Sequence, residues 1–132
     1  MPSIFTRIIN REIPGTIVAE DSDYIAFLDI NPLVKGHTLV VPKKEVDYIF
    51  DLDSQTLAGL HLFAQKVALA LKKVIPCERV GVVVAGLEVP HAHVHLIPFR
   101  TMDDMNFTRP KLKLSKEEFA DIADKVKAAF QA

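Results

Sequence analysis

The chain has 132 residues, 49% of them hydrophobic, with a formal net charge of -1 and one cysteine. This fits a single globular domain over residues 1–132, and the near-neutral charge gives no electrostatic reason to bind nucleic acid. No stretch approaches the roughly 18 apolar residues of a membrane-spanning helix, "MPSIFTRIIN" lacks a secretory-signal pattern, and a cytoplasmic protein is expected.

Ser3 precedes "IFTRII", whose apolar residues Ile4, Phe5, Ile8 and Ile9 recur at helical spacing until "IPG" breaks the segment. "TIVAE" and "YIAFLD" then read as a hairpin, with Ile25, Phe27 and Asp29 sharing a face. "INPLVKG" is turn material and "HTLVVP" a buried strand with His37 at its mouth. From Ser54, Leu57, Leu60, Ala64, Val67, Leu71 and Val74 follow steps of three and four, which predicts a long helix ending before Pro76. Cys77, with no partner for a disulfide, reads as a small apolar residue opening the next strand. The β-branched run "RVGVVVAG" at 79–86 predicts a central strand, and "HAHVHLI" a last strand ended by Pro98. Ser115 stands three before Glu118 as a capping box, opening a closing helix with Phe119, Ile122, Ala123, Val126 and Phe130 along one stripe.

Hairpins among these strands, without regular strand–helix alternation, predict an α+β fold. It consists of a five-stranded antiparallel sheet, a long helix packed on it, and short N-terminal and C-terminal helices. With so few strands, helices are expected to cover one sheet face.

The informative segment is "HAHVHLIPF", which holds three of the chain's five histidines. Alternation would put His91, His93 and His95 on one face and Ala92, Val94 and Leu96 on the other. A metal centre is one reading, but residues on the same strand face repeat every ~6.6 Å, whereas zinc needs ligand nitrogens about 2.1 Å from one point. Three solvated histidines are a second. The third is a nucleophile with attendants: neutral imidazole can attack an electrophile while neighbours stabilise developing charge, and phosphorus is a natural target. His61, mid-helix, reads as a surface residue. "PKK" and "KLKLSK" read as solvated faces, and Arg100 is a candidate phosphate or dimer contact.

"HAHVHLI" fits the pattern His-φ-His-φ-His-φ-φ, where φ is apolar, and so resembles the signature of the histidine triad (HIT) superfamily of nucleotidyl hydrolases and transferases. "IFTRIINREIP", "AFLDINPLVKGHTLVVPKK" and "AGLEVPHAHVHLIP" resemble that family's opening helix, central strands and active-site hairpin. The resemblance covers most of residues 3–100, with a C-terminal helical extension at 115–131, and lies with the Hint-like branch of bacterial type. It implies cleavage at the α-phosphorus of a nucleoside 5'-phosphate conjugate, such as a purine nucleoside phosphoramidate, through a nucleotidyl-histidine on His93. His95 would face the phosphate and leaving group, and His91 and His37 would orient His93. Asp29 would hold the ribose, and Phe5, Ile8, Phe27 and Ile30 would form the base slot. The resemblance further implies a homodimer built on the long helix and the 79–86 strand. No cofactor or metal is required.

The chain also departs from that family. The branch's Gly-Gln-Ser/Thr-Val before the triad is here Gly86-Leu87-Glu88-Val89, so an amide and a hydroxyl that help bind phosphate are replaced. A carboxylate at Glu88 repels phosphate unless it is protonated, points away, or acts as an acid toward the leaving group. A non-catalytic nucleotide-binding module of the same fold, or a histidine-ligated metallohydrolase, are the alternatives.

Overall fold

Ser3 starts the fold by capping a helix. Its hydroxyl accepts the Thr6 N–H at 3.0 Å, and helix α1 (Ile4–Ile9) then buries Phe5 and Ile8. The structure is a computed structural model describing residues 2–132. Strands β1 (Ile17–Glu20) and β2 (Tyr24–Leu28) form a hairpin whose turn is held by Asp21, its carboxylate accepting the N–H groups of Asp23 and Tyr24. After β3 (Thr38–Pro42) come helix α2 (Ser54–Val74), β4 (Arg79–Val83), β5 (Val94–Phe99) and helix α3 (Lys116–Ala129). The sheet runs β1-β2-β3-β5-β4 with every neighbouring pair antiparallel, as an α+β fold requires.

Alternation along the inner strands divides the interior in two. Ala26, Leu28, Val40, Val94 and Leu96 join Leu60, Phe63, Val67 and Leu71 of α2, with Ile122, Ala123 and Val126 of α3 completing that core. Ile25, Phe27, Leu39 and Val41 point the other way and meet Phe5 and Ile8. Helices therefore cover both sheet faces rather than the one expected, because α1, though only six residues long, folds over the second. Leu60, Val67 and Leu71 are fully buried, and each such side chain contributes about 1.5–3 kcal/mol to stability.

Three further expectations are corrected. The run at 79–86 supplies an edge strand rather than a central one: β4 pairs with β5 alone and leaves Val82 57% exposed. An apolar run reads the same whether a strand or water lies beside it. Strand β5 begins at Val94, so His91 and His93 lie in the segment leading into it, and it continues through Pro98. Proline is tolerated there because β3 pairs with β5 only as far as Leu96, leaving Pro98 paired on the β4 side alone. Cys77 sits half-buried before β4, its carbonyl accepting from Lys72 Nζ at 2.9 Å.

Candidate active site

Two loops carry the site. The first joins β2 to β3: Asp29 N–H donates to the His37 carbonyl at 2.9 Å, Asn31 N–H to the Asp29 carboxylate at 2.9 Å, and Leu33 N–H to His37 Nδ1 at 3.0 Å. Gly36, at φ 89°, makes the left-handed turn that sends His37 inward. The second leads from β4 through Gly86 to His93 and is held by Ala92 N–H on the Val46 carbonyl at 2.7 Å. Residue His95 pairs with Leu39 on one side and Val83 on the other, which sets its ring beside that of His37.

The hydrogen bonds settle which nitrogen of each ring bears the proton. Leu33 N–H can only donate, so His37 Nδ1 accepts and Nε2 carries the proton. That proton goes to His95 Nδ1 at 3.0 Å, which leaves the His95 proton on Nε2, donated to the Ala85 carbonyl at 3.2 Å. His91 Nε2 donates to the Pro42 carbonyl at 2.7 Å, and its Nδ1 accepts the Ser3 hydroxyl at 2.8 Å. His93 Nδ1 donates to the His91 carbonyl at 2.7 Å. The lone pair of His93 therefore sits on Nε2, on the side facing Gly86, where a Cβ would lie only 3.6 Å away. Gly86 has φ 140°, a conformation glycine alone adopts without strain.

Burial keeps the attendants uncharged. Desolvation, reinforced by the neighbouring His95 and Lys111, lowers the His37 pKa to about 3. Desolvation and the nearby His93 lower that of His95 to about 4. His91 is lowered too, by desolvation foremost, with the Pro42 carbonyl opposing. Burial raises the Asp29 carboxyl, against the Asn31 N–H and His93. Asp29, His37 and His95 bring donor atoms within 4.8 Å of one another, yet the proton on His37 Nε2 stands where a metal would bind. Moving it to Nδ1 would set it against the Leu33 N–H, so this donor set suits a proton network better than an ion.

Around the row, the Phe5 ring meets His93 edge-on at 5.1 Å and Phe27 at 5.3 Å. Ile8 lies in the same cluster, whereas Ile30 is 78% exposed and stands outside it. Leu87 and Glu88 are exposed on the loop after Gly86. Arg100 and His61 are exposed, Lys43 pairs with Glu20, and Lys44 pairs with Asp53. A surface hollow of about 440 Å³ lined by Ile8, Arg11, Ile13, Pro14 and Ile17 also contains no histidine.

The structure adds residues that sequence reasoning left aside. Ser3, read there only as the residue before a helix, bonds to His91. Glu45 binds Ser3 and Thr6, and Phe107 lays its ring edge against His95 at 5.0 Å. A helix cap was legible for Ser3; nothing local marks Glu45 or Phe107, which reach the site only through the fold.

The family described as HIT domain matches residues 10–102. A HIT-like protein of Borreliella burgdorferi is 38% identical over 128 residues, covering 91% of this chain and 92% of its own. Among solved structures, a hypothetical histidine triad nucleotide-binding protein of Sulfolobus tokodaii superposes with TM-score 0.85 at 32% identity, covering 95% of this chain and 89% of its own. A HIT family hydrolase of Legionella pneumophila gives TM-score 0.65 at 33% identity, covering 76% of this chain and 96% of its own.

Proposed function

The chain belongs to the HIT domain family, and from that premise we propose that it is a hydrolase or nucleotidyl transferase cleaving nucleoside 5'-phosphate conjugates through a covalent nucleotidyl-histidine on His93. The observation that carries this reading is the bond from His93 Nδ1 to the His91 carbonyl at 2.7 Å, which leaves Nε2 unprotonated beside Gly86. Similarity to a nucleotide-binding protein and to a hydrolase, as those relatives are described, supports the substrate class.

In the proposed reaction, Nε2 of His93 forms a bond to the α-phosphorus. The bond to the leaving group breaks, and its electron pair departs with the leaving group, which takes up a proton from solvent. The imidazolium so formed keeps its Nδ1–H on the His91 carbonyl. Water then attacks phosphorus and gives up a proton to solvent, the phosphorus–nitrogen bond breaks, and nucleoside monophosphate leaves with His93 neutral again. His95 turns its Nε2–H from the Ala85 carbonyl to the phosphate oxygen or the leaving atom as charge develops. His37 holds the tautomer of His95, and His91 that of His93. The Asp29 carboxylate takes the ribose, and Phe5, Ile8, Phe27 and Ile30 line the base slot, with a purine as the favoured base.

Gly86 lets the phosphate approach Nε2, and Glu88 in the same loop tunes the leaving group. Among the described residues no helix is long and apolar enough to cross a membrane, in keeping with a cytoplasmic enzyme. The exposed Leu62 and Leu69 of α2 and Val82 of β4 favour a homodimer joined along these elements.

The test is release of nucleoside monophosphate from a panel of such conjugates, with mass spectrometry after brief exposure. A nucleotidyl adduct on His93 and loss of turnover in His93→Ala are expected, both surviving chelation. Tight nucleotide binding without turnover would instead favour a non-catalytic module, and loss of turnover on chelation a metallohydrolase.

A further inference from the structure

Helix α1 and the histidine loop meet through a hydrogen-bonded junction, buried at its His91 end and open at Glu45, for which the proposed reaction has no use. Ser3 N–H donates to Glu45 Oε1 at 2.7 Å, and the Thr6 hydroxyl donates to the same oxygen at 2.5 Å. The Ser3 hydroxyl, while accepting the Thr6 N–H, donates to His91 Nδ1 at 2.8 Å. Ser3 is 4% exposed and His91 is sealed from solvent. The far nitrogen of His91 is committed to the Pro42 carbonyl, and the main-chain carbonyl of the same residue holds His93 Nδ1. One residue therefore separates the helix cap from the nucleophile.

The same helix supplies Phe5, whose ring touches both His93 and Phe27. Both contacts from α1 converge on His93, one through a side chain and one through the His91 carbonyl. We propose that Ser3, Thr6 and Glu45 are positioning residues: they clamp α1 to His91, so that filling of the base slot beside Phe5 and orientation of His93 are coupled. The proposal rests on the reading of His93 as nucleophile given above.

The clamp has one stable arrangement. If the Ser3 hydroxyl is removed, His91 Nδ1 is left with only the Thr6 hydroxyl, 3.4 Å away and already committed to Glu45. Flipping the tautomer does not help, because the Nε2 lone pair would then face the Pro42 carbonyl oxygen. The loop must shift, and the His91 carbonyl under His93 shifts with it. Ser3 N–H foremost, and the Thr6 hydroxyl, hold Glu45 ionised with its pKa lowered to about 2, so the anchor persists across the working pH range.

The experiment uses the full chain and its Ser3→Ala, Ser3→Thr and Glu45→Gln variants. Nitrogen-15 spectra of the imidazoles, recorded without substrate, are expected to show His91 protonated at Nε2 and His93 at Nδ1. In Ser3→Ala the His93 signals should average between tautomers, and Ser3→Thr, which keeps a hydroxyl, should restore them. With adenosine 5'-phosphoramidate as probe, Ser3→Ala should lower kcat about tenfold. Combined with Phe5→Ala it should lose less than the product of the two single effects. Glu45→Gln, altered at the exposed end of the clamp, gives the same pattern more weakly and serves if Ser3→Ala does not fold. Folded Ser3→Ala with unchanged His93 signals and kcat within about twofold of the parent would overturn the clamp. If the parent protein releases no nucleotide, the reaction reading falls while the nitrogen spectra still decide the clamp.

Discussion

Acidification to about pH 5 is expected to weaken the fold through His37 and His95 before the carboxylates respond. Both rings are neutral in the folded protein, with pKa values of about 3 and about 4, and both are nearly solvent-free at 1% and 7% exposure. In the unfolded chain each titrates near 6.5. A lowered folded pKa means that the folded state binds fewer protons. Stability is thus complete above about pH 6.5 and is lost as pH falls from there toward the folded values. Between 6.5 and 5 each ring forfeits about 1.5 pH units, or about 2 kcal/mol.

The two rings share a hydrogen bond and titrate as a pair, so the joint loss is about 2–4 kcal/mol. The titratable and charged groups facing the pair are His93, Lys111 and Asp29, of which the upward-shifted Asp29 carboxyl works the other way. Urea unfolding followed by circular dichroism at pH 7, 6 and 5 measures the change directly. His37→Gln should be less stable at pH 7 but lose only about half as much on acidification. A parent protein losing less than about 1 kcal/mol between pH 7 and 5 would refute the assignment of a neutral, desolvated pair.

Gly86→Ala should strain the loop by about 1–3 kcal/mol through its positive φ and slow adduct formation on His93, since its methyl group would fill space beside Nε2 that the phosphate needs; rapid-quench mass spectrometry reads the rate. Phe107→Ala should let water onto the His37 and His95 rings and move the acidic limb of the kcat/KM profile to higher pH, as desolvation is what lowers both. Glu88→Gln and Glu88→Ser should change the ranking of leaving groups in steady-state kinetics, and an unchanged ranking removes Glu88 from the mechanism. Leu60→Ala, in the fully buried row of α2, should cost about 2–5 kcal/mol by denaturant midpoint with little change in KM.

What could be read from the chain was local. Steps of three and four along Leu57–Val74 predicted α2, and Ser115 and Glu118 close a capping box at the start of α3 as their spacing requires, each bond 3.1 Å. Alternation placed Ile25 and Phe27 on one face of β2. The same local signals misjudged β4 and the start of β5, because an apolar run does not say whether its neighbour is a strand or solvent, nor where a ladder begins.

Three imidazoles lie within five residues of the chain, so their closeness is written into the local order of residues. What each can do comes from partners far away in the chain. His37 reaches His95 across 58 residues, His91 reaches Pro42 across 49, and Ser3 reaches His91 across 88. Those long-range bonds set the proton on each ring and leave the Nε2 of His93 bare. Periodicity belongs to neighbours along the backbone, whereas a tautomer belongs to whichever donor or acceptor the fold brings to the other side of the ring.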